Sequence, residues 1–154
     1  MVPTDHLAAV APRRPLTLRV TIAYDGERLS VQSVQRVAMI TPPAVTPPPR
    51  EGAAGFWFEV RDANGQLLFH RVLHDPMPQD LESFSEDGQT ITRHPRPRER
   101  GTFEVLVPDV PGAQSFALWG AVTPPGLAPA RSRPLVTTSF DDLRRAPPPQ
   151  AAKP

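Results

Sequence analysis

The sequence predicts an all-β fold: a single antiparallel β-sandwich with proline-rich extended termini. Three observations carry this expectation. Apolar and polar residues alternate with period two in several runs, turn-forming residues separate the runs, and no long helical pattern competes with them. At 154 residues the chain fits one domain and cannot hold two cores of ordinary size. Its 22 prolines cluster at 42–49, 76–78, 95–97, 124–134 and 147–154. The runs between them are apolar and β-branched, as in a folded domain with stiff connections.

The first element is the clearest. Leu16, Leu18, Val20, Ile22 and Tyr24 share one face of residues 16–24, and Thr17, Arg19, Thr21 and Ala23 the other. Asp25-Gly26 supplies a tight turn. Residues 28–40 form a second strand whose apolar phase moves from Leu29 and Val31 to Val34, Ala38 and Ile40. One extra residue near Ser33 accounts for the shift, so a β-bulge or a change of sheet is expected there.

Residues 55–74 read as a hairpin around Asp62-Ala63-Asn64-Gly65. A type I turn closed by Gly65 sets Phe58 against His70, whereas a two-residue Asn-Gly turn sets Glu59 against His70. A one-residue slip exchanges the two faces, and the sequence leaves both registers open. An acidic loop is expected to Asp87, then a short edge strand at 89–93, a strand at 102–107 and a strong one at 115–122. Past Pro124 the periodicity fades. Pro134 to Phe140 suits an edge strand, and Ser139 suits the cap of one helical turn through Arg145 with Asp141 and Asp142 in its first turn. The count of six or seven strands indicates an immunoglobulin-like sandwich, with a small barrel as the alternative. The expected division is an N-terminal arm at 1–15, the sandwich at 16–122, and a proline-rich, partly disordered C-terminal arm at 123–154.

Composition narrows the chemistry. A net charge of +1 argues against broad attraction to nucleic acid or to a membrane surface. Sixteen of the seventeen basic residues are arginines, a bias that points to a bacterial genome. Cysteine is absent, which excludes disulfides, thiol nucleophiles and cysteine-ligated zinc. No run reaches the roughly 18 apolar residues of a membrane span and no signal peptide is recognised, so a cytoplasmic protein is expected.

His70 and His74 have the spacing of the H-E-x-x-H zinc motif, with Arg71 in place of the glutamate. On a strand, residues four apart stand about 13 Å from each other. Two nitrogens so placed cannot share one ion at about 2 Å, and the general base is missing as well. His70, His74 or His94 with Asp75, Asp80 or Glu82 and the serines at 83 and 85 form no G-x-S-x-G elbow. No catalytic residue, metal or cofactor is therefore expected. The interaction candidates are Trp57, which alternation places outward with Arg71 opposite as a cation–π partner, Trp119, and the arginines Arg93, Arg96 and Arg98 of the run RHPRPRERG.

The run GFWFEVRDANGQLLFHRVLHDP has the cadence aromatic-x-apolar-Glu-apolar-Arg-Asp-x-x-Gly-x-apolar-apolar. In this it resembles hairpins of small bacterial immunoglobulin-like sandwich domains, including those fused in front of IgA-peptidase-like zinc proteases. The resemblance covers one hairpin. It implies an accessory or interaction module, and carries over no catalytic residue. The expected role is thus a non-enzymatic subunit of a larger assembly, meeting a protein partner or its own copies through sheet edges and proline-rich arms. A carbohydrate or small-ligand module using an exposed tryptophan is the alternative, and an accessory domain of a hydrolase the third reading.

Overall fold

The computed structural model describes residues 14–44, 53–77, 80–84, 89–95, 100–121, 127–128 and 130–151, with backbone alone at 80–84 and 93–95. Among these residues nine strands and one helix occur: β1 (Leu16–Asp25), β2 (Arg28–Ala38), β3 (Phe56–Arg61), β4 (Leu67–Leu73), β5 (Asp80–Phe84), β6 (Ile91–Pro95), β7 (Arg100–Pro108), β8 (Ser115–Gly120), β9 (Arg133–Ser139) and α1 (Phe140–Arg145). They form an all-β sandwich. A three-stranded sheet in the order β2-β1-β7 faces a four-stranded sheet β4-β3-β8-β9, and β5 pairs with β6 apart from both. The expected acidic loop thus contains β5, paired with β6 from Asp80 opposite Pro95 to Phe84 opposite Ile91.

Alternation in β1 is reproduced in the burial. Leu18, Val20 and Ile22 are fully buried and meet Phe58, Val60, Phe116 and Leu118 of the other sheet in one core. Each such side chain contributes about 1.5–3 kcal/mol on leaving water. The phase shift in β2 is a bulge. Thr21 pairs with Ser33 and Ile22 with Val31, which leaves Gln32 as the extra residue and returns Val31 and Leu29 to the core side.

The β3–β4 hairpin resolves its two registers by using both. Asp62 N–H donates to Gln66 O, and the Asp62 carboxylate accepts from Asn64 N–H and Gln66 N–H, both at 2.8 Å. Gly65 sits at φ 76°, as the left-handed position of this turn requires. Beyond the tip, Arg61 pairs with Leu67 but Val60 with Phe69, so Leu68 bulges out and Glu59 comes opposite His70. The tip follows one expected register and the strands follow the other.

The packed domain continues past residue 122, where an arm was expected to begin. β9 completes the four-stranded sheet, and α1 follows at once. The Ser139 side chain accepts from Asp142 N–H, with Asp141 and Asp142 in the first turn and Arg144 and Arg145 in the last. Six residues are too few for a helix to persist alone. It is held because Phe140 and Leu143 are buried in the core and because α1 touches β2, β8 and β9. Arg144 lies over the Phe140 ring, 4.6 Å from its centroid, and bonds Asp109 at 2.8 Å. Burial lowers the Arg144 pKa, but hydrogen bonds and charge from Asp109 and Asp141 outweigh this and raise it overall. A raised arginine pKa adds stability that is complete below the unfolded value and lost only above it. The link therefore keeps its cation throughout the neutral range.

Candidate interaction surface

The sequence candidates fall at separate places. Trp57 is on the outer face of the four-stranded sheet, yet it is only 6% exposed. Its cross-strand partner is Trp119, and the two indoles stack with centroids 5.7 Å apart and planes 6° from parallel. Two positions on, Glu59 shares that face by strand periodicity. Its carboxylate accepts from Trp119 Nε1 at 3.1 Å, Arg61 Nε at 3.1 Å and Arg61 Nη2 at 3.0 Å. Arg61 Nη1 also reaches Gly65 O at 2.8 Å, tying the network to the hairpin turn. The hydrogen bonds that Arg61 donates to Glu59 raise its pKa against a smaller lowering by burial. His70, opposite Glu59, is buried on this face.

This arrangement corrects the expected exposed tryptophan. Burial by Trp119 and the surrounding chain leaves Trp57 no free ring face for a sugar or a partner. The expected Arg71 cation–π contact is also corrected. Arg71 pairs with Phe58, not Trp57, and so belongs to the opposite side of the sheet, where its guanidinium lies 3.5 Å from Pro43 O. Trp119 is half-buried, with its N–H engaged by Glu59. Arg93 lies in β6, and Arg96 and Arg98 lie outside the described residues. His74 follows the end of β4, before Asp75 at φ 39° and Pro76, so the two histidines do not share a helical face. Among the described residues no group of three or more His, Asp or Glu side chains is placed to hold a metal. No described helix is long and apolar enough to cross a membrane.

Comparison with family models, with curated proteins and with solved structures finds no match.

The surface with unused bonding capacity is elsewhere, on the strand edges. The sandwich has four edge strands, β2, β7, β4 and β9. Three carry a bulge: Gln32 in β2, Leu68 in β4 and Leu135 in β9. A bulge twists the edge and breaks the template that another strand would need. The β2 edge is covered in addition, since Val34 donates its N–H to Pro147 O at 2.9 Å. The segment from Pro147 to Gln150 stands beside Thr21, Gln32 and Ser33 across a groove of about 370 Å³. Proline has no N–H to donate, so this strap accepts one bond without extending the ladder.

β7 differs from the other three. Its nine residues pair with β1 from Thr17 opposite Pro108 to Asp25 opposite Arg100 without a shift in register. Among the described strands it bonds β1 alone. Which of its groups point outward follows from parity. Both backbone groups of a residue in an antiparallel pair face the same neighbour, and the direction alternates along the strand. Val34 turns its N–H away from β1, so its partner Val20 directs its own groups to Val105. The bond from Asp109 N–H to Leu16 O, 3.0 Å, has the same parity. Odd residues of β7 therefore serve β1, and Arg100, Thr102, Glu104 and Leu106 aim N–H and C=O out of the sheet. No signal in the sequence separates this edge from the others, because pairing partners lie far apart along the chain.

Proposed function

We propose that the protein is a non-enzymatic interaction or structural module, acting in a protein assembly through a sheet edge. One observation carries this reading: among the described residues, three of the four edge strands of the two packed sheets are interrupted by bulges, while β7 keeps an unbroken outward row of backbone donors and acceptors. Edge strands left regular are the sites at which extended chains add to a sheet. The polar network around Glu59 supports the same reading from the other side, since its donors and acceptors serve one another and the adjoining turn. The immunoglobulin-type reading, drawn from the hairpin at 55–76, is supported by the order β4-β3-β8-β9, the order that strands C′-C-F-G would have. The β2-β1-β7 sheet departs from that scheme by placing the first strand in the middle.

Light scattering on the purified protein, together with affinity capture using the wild type and a Glu104→Pro variant as baits, tests the proposal. The expected result is either a self-associated species or proteins held by the wild type and released by the variant. A strict monomer that captures nothing contradicts it.

A further inference from the structure

The open edge has a chemistry of its own that favours one occupant. We infer that β7 pairs antiparallel with β7 of a second copy of the chain, about a two-fold axis at Phe103. This rests on the edge-mediated reading above and names its partner.

Three registers bring outward-facing residues of two β7 strands together near their centres. Centring on Glu104 sets that carboxylate directly against the partner's Glu104, a destabilising like-charge pair, and sets Arg100 against the partner's Pro108. Centring on Val105 sets Thr102 against the partner's Pro108, which has no N–H to give. Centring on Phe103 has neither fault. Arg100 then faces the partner's Leu106, and Thr102 faces the partner's Glu104. Four such pairs, each exchanging two bonds, occupy every outward group of Arg100, Thr102, Glu104 and Leu106 in both chains. Glu104 then has the partner's Arg100 and the partner's Glu104 as its two diagonal neighbours on the same face. The like charge is thus moved from the directly opposite position to a diagonal one and is offset there by the guanidinium. On the inner face Phe103, half-buried against the core in one chain, meets the partner's Phe103 at the close, non-hydrogen-bonded position.

Two further features of the fold fit this pairing. The hairpin nearest in sequence does not claim the edge: β5 and β6 form a two-stranded sheet of their own. The joined sheet would run β2-β1-β7-β7-β1-β2, and each outer strand is a bulged β2 covered by its own Pro147. Association through β7 therefore closes at two chains instead of extending into a fibre. A contact made by two nine-residue strand edges is small beside the roughly 1,200 Å² of a standard interface, so the dimer is expected to depend on concentration.

Sedimentation of the full chain over a concentration series tests the pairing. The wild type is expected to pass from the mass of one chain to that of two. Glu104→Pro removes an outward N–H and leaves the bonds of Phe103 and Val105 to β1. It is expected to raise the dissociation constant at least about tenfold with the circular dichroism unchanged. Because the chain has no cysteine, a single Phe103→Cys substitution gives an independent readout. Oxidation should join two copies at position 103, and Ser30→Cys on the far strand should give no such product. Should Phe103→Cys fail to fold, the wild-type concentration series and Glu104→Pro still decide.

A chain that stays monomeric at every concentration overturns the pairing, as does a dimer unaffected by Glu104→Pro. A monomer that captures another protein through β7 overturns this inference and leaves the wider reading standing. A monomer that captures nothing removes both.

Discussion

The two margins of the sandwich end their sheets by different means. At the β2/β9 margin both strands bulge, α1 sets Phe140 and Leu143 into the core, and Pro147 accepts the Val34 N–H. The β7 margin has an unbroken nine-residue strand with alternate backbone groups aimed outward. The comparison shows that an edge is closed here by irregular elements: a bulge, one short helix and a proline strap. Of the four edges of these two sheets only β7 is left regular, and it is the edge at which we propose that another chain adds.

Substitutions grade the contrast. The largest effect is expected for Phe140→Ala. It empties a fully buried aromatic site and releases α1 from the closed margin, at about 3–5 kcal/mol in urea unfolding. A loss below about 1 kcal/mol would mean that α1 is incidental to the closed margin. Glu59→Ala comes next, at about 2–3 kcal/mol, because it strips the Arg61 guanidinium and the Trp119 N–H of their shared acceptor. Tryptophan fluorescence should shift as the Trp57–Trp119 stack loosens, and an unchanged spectrum would show that the stack is held by its cover alone. Arg144→Ala should cost about 1–2 kcal/mol, since Asp109 loses a charge-assisted bond.

The smallest change in stability, under about 1 kcal/mol, is expected on ending the chain after Ala146, which returns one N–H to water. That truncation should nevertheless alter association. With the strap gone, β2 is guarded by its bulge alone, and sedimentation should detect species larger than two chains. Their absence would assign the closure of β2 to the Gln32 bulge by itself.

Much of this fold was legible locally. The β1 alternation and the phase shift of β2 are period-two signals, and the bulge came out one residue from Ser33, at Gln32. The Ser139 cap and the acidic first turn likewise announced α1. The β3–β4 register was not legible, because Leu68 allows the turn to obey one register and the strands the other. Alternation placed Trp57 outward correctly and implied exposure wrongly: burial of an outer face depends on the neighbouring strand, which brings Trp119 over it. The Asp80–Phe84 run looked like an acidic loop because its apolar residues are few, and pairing with β6 makes it a strand. The candidate edge was least legible of all. Its distinction lies in which backbone groups remain unclaimed after long-range pairing, and no side-chain pattern encodes that.

Backbone hydrogen exchange followed at low and high protein concentration tests the central claim most directly. Val34, Phe103 and Val105 N–H groups should be protected at every concentration, the first by Pro147 and the others by β1. The Thr102, Glu104 and Leu106 amides should exchange fast in dilute protein and become protected as the chains pair. Edge amides as slow as Val34 in the dilute protein, or equally fast at all concentrations, would contradict the account.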